Sequence, residues 1–140
     1  MNVSRKIKRA LSESDRELSP EVEELVNKVA QLFVAGRFAD VYGMGTPALQ
    51  QAIRRDRFVT NWGDAVSDYR PLTGFRIADM GQIDLAFIPS LEEVPQEQFV
   101  AFVEISFSGV DVAFDDEKAL TVGVILLAQD RLRIGALHKR

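Results

Sequence analysis

The stretch from Ser19 to Tyr42 constrains the fold of this chain more than any other part of its sequence. Ser19 is a favourable helix N-cap, and Pro20 suits the first helical position, where its missing backbone N–H costs no hydrogen bond. Gly36 can adopt the left-handed conformation that ends a helix. The apolar residues between them recur at steps of three and four: Val22, Leu25, Val26, Val29, Leu32 and Phe33. The pattern predicts one amphipathic helix that packs by a single face.

Three further helices are predicted in the first half of the chain. The second helix is short, includes Tyr42, and is expected to end at the glycine turn of residues 43–45. Another threonine-proline start then introduces a helix over 47–54. A fourth helix is predicted over 57–68, with Asp56 as its N-cap.

The chain after residue 70 is rich in Val, Ile, Phe and Leu, in short runs separated by turn residues, which is typical of β-strands. The predicted strands cover 74–80, 82–88, 98–108, 118–128 and 131–138. The connection between the last two is short, so they are expected to form an antiparallel hairpin. Helices followed by strands predict an α+β domain with the helices packed on an antiparallel sheet.

The strands 98–108 and 118–128 are largely apolar on both faces, because apolar residues occupy consecutive positions. Helices that all precede the sheet can cover only one of these faces. An uncovered apolar face is unfavourable in water, so a homodimer packed sheet to sheet is predicted.

The length and charge of the chain limit its organisation and partners. Its 140 residues predict one domain over 19–140, preceded by a basic N-terminal arm or extra helix over 1–18. Residues 1–10 carry four basic groups, whereas the rest carries 13 basic and 21 acidic residues. This acidic body opposes binding to nucleic acid or to an anionic membrane, so neither partner is predicted.

The absence of cysteine excludes disulfides, zinc-thiolate sites and thiol nucleophiles. No apolar run approaches the roughly 20 residues that span a bilayer, so a cytoplasmic location is expected. The acidic residues of 111–117 lack the glycine and distal glutamate of a calcium loop. The sequence therefore predicts no metal and no cofactor.

Three segments resemble the nuclear transport factor 2-like superfamily and, within it, the uncharacterised small-domain branches. They are LFVAGRFADVY at 32–42, TPAL at 46–49 together with Phe58 and Trp62, and DRLRI at 130–134. The resemblance covers about residues 20–138 and implies a cone-shaped, cystatin-like fold, in which N-terminal helices pack on a curved antiparallel sheet. The superfamily contains isomerases, dehydratases, hydrolases and binding domains, so the fold implies no single activity.

The residues associated with catalysis in the superfamily are not matched here. Its isomerase branch pairs a tyrosine with acidic residues in the cone, and its dehydratase branch combines histidine, aspartate and tyrosine. This chain has one histidine, His138, at the end of the last predicted strand. No catalytic residue is carried over. Glu104 and Asp84 are candidate bases, and Tyr42 and Tyr69 are candidate hydrogen-bond donors.

Five residues are candidates for the lining of a pocket in the cone: Tyr42, Phe58, Trp62, Tyr69 and Glu104. The aromatic members have helical spacing, which equally fits a packed core. If Glu104 faced an apolar cavity, its pKa would rise towards neutral pH. Alternatively, it lies on the outer face of the sheet and pairs with Arg76 or Arg133.

These observations favour a small soluble binding or accessory domain with a modest apolar pocket for a small apolar ligand, and no chemistry of its own. The alternative is an isomerase or dehydratase-type enzyme that uses Glu104 or Asp84 with Tyr42 or Tyr69. A second alternative is a protein-interaction module that acts through the outer sheet face or the basic arm.

Overall fold

The structure, a computed structural model, describes residues 18–109 and 119–140. In these residues four helices precede four strands: α1 Pro20–Ala35, α2 Phe38–Tyr42, α3 Pro47–Ala52, α4 Arg55–Ser67, β1 Leu72–Asp79, β2 Phe99–Gly109, β3 Leu120–Ala128 and β4 Leu132–Lys139. The predicted basic arm, except for residue 18, and the acidic segment 111–117 lie outside the described residues.

The four strands form one antiparallel sheet in the order β1-β2-β3-β4. Each strand pair contains a register shift, and such irregularities bend strands. The α+β class, with N-terminal helices packed on a curved antiparallel sheet, is thereby confirmed. The predicted hairpin is also confirmed, with Ala128 opposite Leu132.

Helix α1 begins and ends as the sequence predicts. The Ser19 hydroxyl accepts the backbone N–H of Val22 at 3.3 Å. Gly36 has a φ of 74° and donates its N–H to the carbonyl of Phe33 at 3.0 Å. The buried residues of α1 lie on one stripe: Val22, Val26, Val29, Ala30 and Phe33. This stripe faces the sheet and the other helices.

The predicted N-cap at Asp56 is wrong. Helix α4 begins at Arg55, and its N-cap position is Arg54, which has extended backbone. Ile53 is also extended, so α3 ends at Ala52, two residues before its predicted end. Helix α4 begins two residues before its predicted start. The Asp56 carboxylate lies in the first turn, where it accepts the N–H of Arg57 at 2.9 Å.

The predicted strand 82–88 is also wrong. This segment contains a 3₁₀ turn over Leu85–Phe87, and the Asp84 carboxylate accepts the N–H of Ala86 at 3.0 Å to start it. The segment leaves the sheet because Leu85 and Leu91 then pack against Ile125 on the face away from the helices. The other four predicted strands agree with the structure to within two residues where it describes them.

The main core fills the space between helices and sheet. Phe33 lies at its centre, with ring centroids 5.2 Å from Phe38, 5.2 Å from Trp62 and 5.6 Å from Phe107. Valine and isoleucine side chains of β2 and β3 complete the layer. Large side chains therefore occupy the interior that a cone-shaped fold would use for a pocket.

A second, smaller core lies on the face of the sheet away from the helices, called here the far face. It contains Leu85, Leu91, Ile125, Leu127 and Ala136. The chain therefore covers one end of this apolar face itself. The next rows of the far face are polar or small, with Arg76 opposite Ser106 and Glu104 opposite Gly123. The far face therefore has less uncovered apolar surface than the sequence predicts, which weakens the argument for a homodimer. The homodimer itself stays a prediction.

The glycine turn after α2 joins the helical layer to the edge of the sheet. Gly45 forms a parallel bridge with Ile134 of β4. Thr46, which is buried, caps α3 by accepting the N–H of Leu49 at 3.1 Å. This junction places Met44 beside the start of β4. Over the described residues, no helix combines the length and hydropathy needed to cross a membrane.

Candidate functional site

Two of the predicted pocket residues lie inside the main core. Trp62 is 9% exposed and packs edge-on against Phe33, and Phe58 is 3% exposed with its ring 5.2 Å from that of Tyr42. Both side chains occupy the space between helices and sheet. Their helical spacing therefore corresponds to core packing.

The two tyrosines have different environments. The Tyr42 hydroxyl lies 2.7 Å from the carbonyl oxygen of Gln50 and 2.8 Å from that of Ile53. These carbonyls belong to the end of α3, which leaves such groups without helical partners. The Tyr42 hydroxyl thus completes a helix terminus. The ring of Tyr69 instead lies beneath the Lys139 ammonium, 5.5 Å from ring centroid to nitrogen.

The candidate acids lie on the opposite side of the sheet from the helices. Glu104 points to the far face, is 17% exposed, and forms an ion pair with Arg140. The predicted partner Arg133 pairs with Asp130. Asp84 is exposed in the segment that covers the far face. The sheet therefore separates Glu104 and Asp84 from Tyr42, which packs on the helical side.

An open groove lies on the outer side of α1 and α2 instead. It has a volume of about 720 Å³, and Met44 is one of its lining residues. Its other lining residues come from α1, α2, the glycine turn and the start of α4: Lys28, Leu32, Arg37, Ala39, Asp40, Tyr42, Gly43 and Arg55. Tyr42 is the one predicted site residue that borders it.

Two smaller depressions adjoin this groove at Met44. One, of about 290 Å³, runs along α1 past Glu21, Glu24, Leu25, Lys28 and Leu132. The other, of about 230 Å³, lies towards the hairpin and is lined by Leu25, Gly43, Arg131, Leu132 and Arg133. The three depressions share Met44, and together they are called here the Met44 groove.

The floor of the Met44 groove is apolar and half-buried. Leu25 and Leu32 lie at the edge of the apolar stripe of α1, and Met44 and Leu132 come from the two sides of the turn-to-strand junction. The stripe predicts that Leu25 and Leu32 are partly buried. The contact of Met44 with Leu132 depends on tertiary structure, so the sequence pattern does not predict this site.

The charges around the groove are segregated. Lys28, Arg37 and Arg55 surround the largest depression, where Asp40 pairs with Arg37 at 2.7 Å. Glu21 and Glu24 lie at the other end, and Lys28 lines the depressions at both ends. This arrangement suits an amphiphilic ligand with a negative group near the cations.

An ion pair supports the hairpin side of the groove. Arg133 donates to both carboxylate oxygens of Asp130, at 2.9 and 3.1 Å, and to the carbonyl of Gly45 at 3.3 Å. Its hydrogen bond lowers the pKa of Asp130 from 3.8 to about 2, and the carboxylate raises the pKa of Arg133. Arg133 thus connects the hairpin to the glycine turn.

No cluster of metal-ligating side chains is present in residues 18–109 and 119–140. No family model, curated protein or solved structure matches this chain. The function therefore has to be inferred from the geometry of the Met44 groove.

Proposed function

We propose that this protein is a small binding domain of the nuclear transport factor 2-like superfamily, without chemistry of its own, that takes its ligand in the Met44 groove. The order of helices and strands and the bent antiparallel sheet support the superfamily assignment. The observation that carries the binding site is the contrast between a filled interior and an open groove with an apolar floor. A volume of about 720 Å³ is within the usual range for a ligand site.

Burial of the apolar floor of the groove contributes free energy of binding, and the charged side chains of the rim orient the ligand. Covering about 100 Å² of apolar surface contributes about 2.5 kcal/mol, which corresponds to weak binding once the loss of freedom is included. The guanidinium of Arg55 and the ammonium of Lys28 favour an anionic group at one end of the ligand. A small carboxylate with an apolar tail has both features.

The enzyme alternative has less support. An isomerase or dehydratase of the predicted type needs an acid and a tyrosine hydroxyl at one reacting centre. The Tyr42 hydroxyl is hydrogen-bonded to the carbonyls of Gln50 and Ile53, and Glu104 lies on the far face in an ion pair. The groove combines an apolar floor with charged side chains at its rim, an arrangement that supports ligand binding and does not pair an acid with a free tyrosine hydroxyl.

The proposal is tested by titrating the protein with hexanoate and following methyl signals by NMR. We expect saturable shifts at Met44, Leu25 and Leu32, and binding weakened about tenfold by Met44→Gln. The control is Met80→Gln, because Met80 is 41% exposed and lies outside the groove. Shifts that centre on the methyl groups of Val26 and Val103 in the main core, or no shifts at high millimolar hexanoate, would reject the groove as the site.

The homodimer through the sheet is a separate proposal. Three large apolar side chains are exposed between the start of β1 and the end of β2: Met80 directly after β1 at 41%, Phe87 in the 3₁₀ turn at 81% and Val100 in β2 at 37%. Contact with a second copy would remove this surface from water. Light scattering at micromolar concentration is expected to give twice the mass of one chain. A mass of one chain would exclude the homodimer and leave the groove proposal intact.

A further inference from the structure

The Met44 groove is elongated along α1. Its lining extends from Leu32 to Glu21, a distance of about 16 Å at the helical rise of about 1.5 Å per residue. An extended peptide of about five residues spans the same length. An extended chain occupies such a shape more fully than a compact small molecule does.

The rim of the groove carries charges that a peptide can match. In the part of the chain that the structure describes, Arg37 pairs with Asp40, whereas Lys28 and Arg55 make no ion pair. Both of these cations line the largest depression. Arg131 and the paired Arg133 lie on the hairpin side. The unpaired charge at this end of the groove is positive.

The opposite end of the groove is negative. Glu21 and Glu24 border the depression of about 290 Å³ with Leu25 and Leu132, and Lys28, which lines both this depression and the largest one, lies between the two ends. Glu21 lies in the first turn, where an acidic side chain is favourable for the helix itself because it is near the positive end of the helix dipole. Glu21 and Glu24 together leave an exposed negative rim, which favours a basic group on a ligand that extends this far.

We infer that the Met44 groove binds a short extended segment of another protein, acidic at one end, with alternating apolar side chains and a basic residue at the other end. This inference rests on the proposed function. The acidic end lies against Lys28 and Arg55, the apolar side chains cover Met44 and Leu132, and the basic residue faces Glu21 and Glu24. Alternate residues of an extended chain point to the same side, so every second residue contacts the floor.

The probe is a fluorescein-labelled peptide of sequence Glu-Glu-Leu-Thr-Leu-Thr-Lys, measured by fluorescence anisotropy with the full chain. We expect saturable binding that weakens with salt, because charge pairs at a rim are screened. We expect Arg55→Glu to weaken binding about tenfold. The matched control is Arg54→Glu, which makes the same charge change at a side chain that is 87% exposed and not part of the groove.

Three peptide comparisons test the chemistry. Replacing both leucines by serine, both glutamates by lysine, or the lysine by glutamate is expected to weaken binding in each case. Equal binding of the original and the glutamate-to-lysine peptide would overturn the inference, as would equal effects of Arg54→Glu and Arg55→Glu. Circular dichroism of both variants verifies that each is folded.

The two proposals fail in different ways. If hexanoate shifts Met44 but the peptide does not bind at millimolar concentration, the groove is a binding site and the peptide inference is wrong. If neither probe binds, both proposals are wrong. If the peptide binds and shifts the Met44 and Leu25 methyl signals, both are supported.

Discussion

Ile134 donates its backbone N–H to the carbonyl of Met44 at 2.9 Å, and its own carbonyl accepts the N–H of Thr46 at 2.9 Å. These two hydrogen bonds attach the glycine turn after α2 to the edge strand β4. Met44 is thereby held beside Leu132, and the floor of the Met44 groove extends from the helical layer to the sheet. The groove depends on this junction.

The junction leaves little space for a side chain at Gly45. A β-carbon there would lie against a Leu49 methyl and 3.2 Å from the Tyr42 carbonyl oxygen. We expect Gly45→Ala to lower the free energy of unfolding by about 1–3 kcal/mol, as overpacking does. Urea denaturation measures this change.

Gly63→Ala is the matched control for this substitution. A β-carbon at Gly63 would meet no atom within 4 Å, and the residue lies inside α4. Alanine favours a helix over glycine by about 0.5–1 kcal/mol, so this variant is expected to be more stable. Equal destabilisation by both substitutions would contradict close packing at Gly45.

The Tyr42 hydroxyl is predicted to contribute to stability rather than to catalysis. Tyr42→Phe removes the hydrogen bonds to the carbonyls of Gln50 and Ile53 and is expected to cost about 1 kcal/mol. Tyr69→Phe is the control, since the described residues provide no hydrogen bond to that hydroxyl. Thermal denaturation distinguishes the two, and an unchanged midpoint for Tyr42→Phe would show that its hydroxyl is dispensable for the fold.

The filled interior predicts that a phenylalanine-to-alanine substitution in the core lowers the free energy of unfolding far more than the same substitution at the surface. Phe33→Ala removes the ring that contacts Phe38, Trp62 and Phe107, and it is expected to cost about 3–5 kcal/mol. Phe87→Ala acts on a side chain that is 81% exposed in the single chain, and it is expected to change the stability of the monomer by less than about 0.5 kcal/mol. Chemical denaturation of both variants gives the comparison. A small effect at Phe33 would indicate that the interior is loosely packed and has room for a ligand.

The ion pair between Asp130 and Arg133 predicts a dependence of stability on pH. The folded pKa of Asp130 is about 2, below its ordinary 3.8, because Arg133 donates a hydrogen bond to the carboxylate. The stabilisation is therefore present above about pH 4 and is lost as the pH falls towards 2. Asp130→Asn is expected to be less stable than the parent at neutral pH, and the two should converge near pH 2.

NMR titration of the Asp130 carboxyl carbon provides an independent measurement. The expected midpoint is about 2 in the parent and closer to the ordinary value when Arg133 is replaced by methionine. A midpoint near 3.8 in the parent would show that the ion pair does not form in solution.

The sequence alone determined the parts of this protein that depend on near neighbours along the chain. Ser19 bonds to the N–H of Val22, and Gly36 adopts the conformation that only a residue without a side chain reaches readily, so both ends of α1 could be predicted. The order of helices and strands follows from the spacing of apolar residues, which predicts the α+β class.

Tertiary structure decided the course of the 82–88 segment and the location of the groove. The apolar residues of 82–88 fit a strand or a covering segment equally well. The structure has the covering segment, because Leu85 and Leu91 bury the apolar surface of the sheet around Ile125. Met44 and Leu132 are far apart in sequence. They come together because the backbone N–H and carbonyl of Ile134 form hydrogen bonds with the backbone of Met44 and Thr46. Local pattern carries no information about such long-range hydrogen bonding and burial, which become defined only when the elements pack together.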